Sequence, residues 1–307
     1  MNATMSAINI EEELSRWAHE LRPVGGPFVS VLEIAHRLGI VVSIRVHTTG
    51  GSPDAQIDFR HQPPQILLYR SGSVEGHHEV QAYEESILTS RERFSVAHEL
   101  GHWFAVSHLG VSTQLDKKAY WEHERAVNEF AGRLLAPDWL VRSWLRDTPE
   151  GVPIHPFALR FWATSACRTS EEVIAKAIVR HRSSIGFLKL LPATNKNASN
   201  VLLVLSSAAG KGLLLPKERS HLDSPVLYRF LSDSKVGSTS LQGIRLGRCE
   251  AQDLQMAWRR GYSVNSQETI WLSLALQSDN CADVKSPDVQ LLFKESADPA
   301  WFDEPEK

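Results

Sequence analysis

The 307-residue chain is 42% hydrophobic and 22% charged, a globular balance that excludes a wholly disordered chain or a fibre and suits about two domains. A chain this long buries a core without disulfides or metal staples. Its 33 basic and 36 acidic residues leave a net charge of −3, which argues against a general electrostatic grip on nucleic acid or an anionic membrane. Cys167, Cys249 and Cys281 share no close spacing and form no C-x-x-C motif, so they fit a reducing compartment better than a disulfide framework. The start, MNATMSAINIEEELSRW, lacks a basic stretch followed by an apolar one, and apolar runs such as 201–205 fall far short of the roughly 18 residues a membrane span needs. The expectation is a cytoplasmic protein with no membrane partner.

In chain order, residues 11–22 and 31–38 carry helical periodicity, with Gly39 as the stop. Short strands are expected at 40–46, 56–60 and 66–69, punctuated by Pro53, Pro63 and Pro64. The strand 66–69 reads equally as a sheet edge, where it would hold an extended substrate, or as an internal strand. A polar stretch, 71–89, contains His77 and His78, which read as a solvated loop. Thr89 and Glu92 form a capping box for a helix that Gly110 ends. A second helix spans about 118–136, before Pro137, and a third begins at that proline. Helices at 156–166 and 170–182 follow, the latter with Thr169 and Glu172 as a second capping box. Beyond about 184 the texture changes to short apolar runs at 187–191, 201–205, 213–215 and 270–276, the last cleanly alternating, with a short helix at 224–231 and an acidic tail from Lys294.

His98-Glu99-Leu100-Gly101-His102 is an H-E-x-x-H pattern inside the capped helix. Spacing of i, i+4 stacks both imidazoles on one face, as two ligands of a tetrahedral zinc require, and puts the Glu99 carboxylate where it can take a proton from an activated water. A catalytic zinc needs a third protein ligand and an open position. The second helix offers Glu122, His123, Glu124 and Glu129. Glu124 is the best of these, because it shares a face with Val127, Asn128 and Ala131 that can pack on the first helix; Glu129 points away and is the reserve. Asn128, one turn on, can hydrogen-bond the outer nitrogen of a ligand histidine. His123 reads as a solvated surface residue. Tyr83 and Tyr120 are possible donors to an oxyanion, and the sequence ranks neither.

These residues carry a family resemblance. The stretch Arg93-Phe94-Ser95-Val96-Ala97-His98-Glu99-Leu100-Gly101-His102 resembles the R-F-T-x-A-H-E-L-G-H signature of ImmA/IrrE-type metallopeptidases. Residues 124–137 (ERAVNEFAGRLLAP) resemble that family's E-x-x-A-N-x-F-A-x-x-L-L-M-P. The match covers roughly residues 28–137 and, more weakly, the helices up to 182. It implies zinc ligation by His98, His102 and Glu124, Glu99 as general base and Asn128 as the residue behind a ligand histidine. Val127 and Gly132 stand where alanines are usual, and Ala136 where a methionine is; Gly132 weakens its helix by about 1 kcal/mol.

The resulting expectation is an α+β chain: a compact zincin-like metallopeptidase domain at 1–140, a helical, helix-turn-helix-like segment at 141–185, and a mixed β-rich domain at 186–307, a candidate sensor. The resemblance implies an endopeptidase that cuts a specific partner, a separate helix-turn-helix transcriptional repressor, relieving repression under stress or during transfer of mobile elements. The alternative is a zinc-containing regulator that binds a repressor or DNA without cutting. The basic residues between 156 and 182 fit packing or partner docking better than direct nucleic-acid binding, given the slightly acidic chain.

Overall fold

The computed structural model describes residues 9–22, 26, 28–47, 54–71, 79–112, 115–192, 201–211, 213, 215–223, 235–244, 252–262 and 268–276. They form a mixed α+β chain with helices and two sheets. The chain divides into two compact units, Met1–Val141 with Phe161–Ala177, and Arg142–Arg160 with Ile178–Lys307. The division runs through the helical segment at 141–185.

In the first unit, α1 (Ile10–Glu20) and α2 (Val31–Arg37) begin at side-chain caps: Asn9 accepts the Glu12 N–H, and Ser30 the Glu33 N–H. Gly39, at φ 69°, terminates α2. Strands β1 (Val41–His47), β2 (Ala55–Asp58), β3 (Gln65–Ser71) and β4 (Glu79–Gln81) form a sheet in the order β2-β3-β1-β4. β1 and β3 are parallel; β2 and β4 pair antiparallel with their neighbours. The strand read at 66–69 is therefore internal, and the edge that lies against the next helix, α3, is β2. β4 and a 3-10 turn at Glu85–Ile87 occupy part of the stretch read as polar loop. All three residues of β4 are exposed, so no buried face was there to leave a period of two. His77 and His78 lie outside the described residues.

α3 (Ser90–Ser107) opens with the complete capping box of Thr89 and Glu92. α4 (Lys117–Leu135) is capped by Asp116, whose Oδ1 accepts the Lys118 and Ala119 N–H groups at 2.9 Å each. α5 (Asp138–Leu145) follows Pro137. Val96, Ala97, Leu100 and Phe104 of α3, and Val127, Phe130, Ala131 and Leu134 of α4, are fully buried, and α1 also packs on α4.

The segment read as one helix at 156–166 is α6 (Pro156–Phe161) running into a π turn, Trp162–Cys167, that exits through a left-handed Arg168 at φ 49°. Hydrophobic spacing does not distinguish i+4 from i+5 turns over six residues. α7 (Glu171–Val179) is capped by Ser170, whose Oγ accepts the Val173 N–H at 3.3 Å, and not by Thr169, whose buried Oγ1 has no hydrogen-bond partner among the described residues. The π turn and the left-handed exit aim two carbonyls at Arg93, which is 1% exposed. Arg93 donates to the Cys167 carbonyl at 2.7 Å, to the carbonyls of Arg168 and Val29, and to Glu85 Oε1 at 2.6 Å. Glu85 in turn accepts the Val31 and Leu32 N–H groups at 3.2 and 3.1 Å at the start of α2. Burying this cation is tolerable because each of its three guanidinium nitrogens meets an acceptor.

The second unit holds β5 (Ile185–Pro192), β6 (Val201–Ala209), β7 (His221–Asp223), β8 (Val236–Ile244), β9 (Gln252–Tyr262) and β10 (Glu268–Leu276). They pair antiparallel throughout, in the order β7-β6-β5-β10-β9-β8. Alternate residues make one core face: Leu188 and Leu190, Met256 and Trp258, Ile270, Leu272 and Leu274. Trp271, Ser273 and Ala275 are buried on the opposite face, so the central strand β10 is covered on both sides. Of the apolar run at 213–215, Leu213 and Leu215 lie outside any strand, Leu213 joining the core, and Leu214 lies outside the described residues. The helix expected at 224–231, the acidic tail, Cys249 and Cys281 lie outside the described residues, whereas Cys167 is a buried free thiol. Among the described residues, no helix is long and apolar enough to cross a membrane.

α3 and α4 meet where α3 has no side chain. A Cβ on Gly101 would sit 2.9 Å from Val127 Cγ1 and 3.0 Å from Phe130 Cδ1. Gly101→Val is expected to force the helices apart and destabilise the protein by about 2–3 kcal/mol in urea unfolding.

Candidate metal centre

α3 presents His98 and His102 on one face, and the close approach at Gly101 carries α4 within reach of both. The two Nε2 atoms lie 3.0 Å apart. Glu124 Oε2 lies 3.5 Å from His98 Nε2, and its Oε1 lies 3.4 Å from His102 Nε2. Two imidazole nitrogens and one carboxylate thus converge on a single point. The ligand atoms of His98, Glu99 and His102 also lie within 4.8 Å of one another, so this His-Glu-His group can hold a metal ion.

Glu99 and Glu124 both lie near the two imidazoles, and their surroundings differ. The Glu99 side chain is turned toward β2, where its Oε2 accepts the Ile57 N–H at 2.9 Å, and the residue is 7% exposed. Glu124 faces both histidines and is partly open to solvent. Glu129, the reserve ligand, forms an ion pair with Arg133 at 2.9 Å, one turn along its own helix. Glu122 pairs with Lys118 at the surface.

Each histidine is held from behind. His98 Nδ1 lies 3.2 Å from Asn128 Oδ1, and Asn128 Nδ2 donates to the Glu124 carbonyl at 2.8 Å. That second bond fixes the amide so that its oxygen faces the ring. His102 Nδ1 lies 2.9 Å from His123 Nε2. His123 is not the solvated surface residue its sequence position suggested but is 7% exposed. Helical spacing held the signal: His123, Val127, Phe130 and Leu134 fall on one stripe, and that stripe is the buried one. Ile57 was the other residue not anticipated, since a backbone N–H leaves no mark on residue type.

The electrostatics follow from burial. His98 titrates below its ordinary value because burial disfavours the cation, with the Asn128 bond opposing. His102 is lowered to about 3 by burial, then by the neighbouring His98 and His123. Both rings are therefore neutral at physiological pH, with lone pairs free for a metal. Glu99 is pushed up to about 7 by burial, with the Ile57 N–H opposing and the Glu124 charge adding. Tyr120, one turn before Glu124, is half-exposed; the Glu124 charge and a hydrogen bond to that carboxylate raise it. Tyr83 is 77% exposed, and its hydroxyl donates to Gln81 at 2.7 Å, away from the site.

No protein-family model and no curated protein matches this chain.

Because Glu99 holds its proton more tightly folded than unfolded, the metal-free protein loses stability as pH rises from about 4.5 through about 7. Glu99→Gln removes that charge without changing shape. Metal-free E99Q is expected to exceed metal-free wild type by about 1–3 kcal/mol at roughly pH 8, with the difference closing near pH 4, as read by urea unfolding.

Proposed function

We propose that this chain is a zinc-dependent endopeptidase with a zincin-like catalytic domain. His98, His102 and Glu124 would hold the metal, Glu99 would act as general base, and the substrate would be a specific regulatory protein, a helix-turn-helix repressor. The observation that carries the reading is the convergence of the two Nε2 atoms and the Glu124 carboxylate, with separations of 3.0, 3.4 and 3.5 Å. A tetrahedral zinc with bonds of about 2.0–2.1 Å has edges of about 3.3 Å, and a set of two imidazoles and one carboxylate leaves a fourth position open. Bound there, zinc would supply Lewis-acid polarisation of water and of a peptide carbonyl.

The protein's own groups divide the remaining work. Glu99 takes a proton from the attacking water and hands it to the leaving amine, a shuttle helped by a carboxylate whose proton affinity lies near neutral pH. Ile57 N–H holds one Glu99 oxygen, which leaves the other for the water. Among the described residues β2 is the edge strand of its sheet beside α3, so an extended substrate segment would pair along it. The repressor as substrate rests on the resemblance of residues 93–102 and 124–137 to ImmA/IrrE-type metallopeptidases.

Protein purified without chelators is expected to carry one zinc per chain, lost or weakened in Glu124→Ala and retained in Glu129→Ala, as measured by elemental analysis. Glu99→Gln should keep the zinc and lose cleavage by roughly 10²–10⁴-fold, read by mass-spectrometric mapping of new N-termini in purified candidate repressors. Unchanged cleavage by E99Q would overturn the mechanism. Full regulatory effect of E99Q in cells would favour a regulator that binds its repressor or DNA without cutting.

A further inference from the structure

Two histidines face the proposed metal, and the groups behind them differ in kind. His98 is backed by an amide oxygen, which can only accept a hydrogen. His102 is backed by a third imidazole, whose Nε2 lies 2.9 Å from His102 Nδ1 with ring centroids 5.0 Å apart. An imidazole nitrogen can donate or accept, so the contact has a polarity to be assigned.

Metal ligation assigns it. If His102 Nε2 gives its lone pair to a metal, Nδ1 carries the ring hydrogen and must donate. His123 Nε2 is then the acceptor, which leaves the His123 hydrogen on Nδ1. Among the described residues, His123 Nδ1 is buried and has no hydrogen-bond partner. A hydrogen on both His123 nitrogens would set N–H against N–H across the 2.9 Å contact. The arrangement therefore admits one tautomer of a neutral ring.

We infer that His123 is a positioning residue of the metal centre: as the neutral Nδ1–H tautomer it accepts the His102 Nδ1 hydrogen, and so fixes the ring plane and the ligating nitrogen of His102. The inference rests on the metallopeptidase reading. It gives α4 three duties at the site within one and a half turns: holding His102 through His123, ligation through Glu124, and holding His98 through Asn128. A residue that merely filled space would need only shape. This one needs an acceptor at the position of Nε2.

The test separates acceptor from shape in the full chain. His123→Leu keeps an apolar side chain of similar size without an acceptor, whereas His123→Gln can place its amide oxygen near the position of Nε2. Zinc affinity, measured by competition with a chromogenic chelator, is expected to fall roughly 10–100-fold in H123L and to stay within about threefold of wild type in H123Q. Histidine ring NMR on zinc-loaded wild type needs no variant to fold, and should report both His102 and His123 as Nδ1–H tautomers. Unchanged zinc affinity in H123L, or His123 protonated on Nε2 in the zinc-loaded protein, would overturn the inference while leaving the metal site standing. Wild type that takes up no zinc would overturn both.

Discussion

The site depends on how closely α3 and α4 approach. Helix axes cannot draw near unless one helix yields volume at the crossing, and here Gly101 yields it, one residue before His102 and opposite Val127 and Phe130. Without that contact, Glu124 would not stand 3.4–3.5 Å from two imidazoles contributed by another helix. On α4, Val127 fills the crossing. Its Cγ1 occupies the space that a side chain at 101 would claim, so the interface is filled from α4.

Around this crossing, the first unit buries groups that are costly to bury, and each has a compensating partner. Arg93 is enclosed by three carbonyls and Glu85, and this ties α3 to the start of α2 and to the turn before α7. Glu99 pays for its burial with a raised proton affinity and one backbone hydrogen bond from β2. The two differ in consequence. A guanidinium stays charged and must be surrounded, whereas a carboxylate can respond by titrating near neutrality. His98 and His102 show the third outcome: burial keeps them neutral, the form that can bind a metal.

The second unit is built on a different principle. Its six strands pair antiparallel, and one face is closed by leucines, Met256 and Trp258. The other face of the central strands buries Ser273, Thr269, Gln255 and Arg259 beside Trp271. β10 announced itself by a clean period of two, with Ile270, Leu272, Leu274 and Leu276 on one face, while β8, with its Gly, Ser and Thr residues, left no such mark.

Sequence alone determined what depends on neighbours along the chain. The capping box of Thr89 and Glu92, the stop at Gly39, the break at Pro137 and the i, i+4 pair His98 and His102 are all local, set by hydrogen bonds and spacing within one helix. The shared face of Glu124 and Asn128 is local too, and the structure brings both to the histidines. Tertiary structure decided everything that needs two elements at once. It put β2 rather than β3 at the edge beside α3, replaced a helical turn by a π turn aimed at Arg93, turned Glu99 toward the Ile57 N–H, and buried His123 behind His102. The reason is physical: periodicity reports that a residue faces inward, but which donor or acceptor it meets there depends on a partner tens of residues away, and a backbone N–H or carbonyl has no residue type to read.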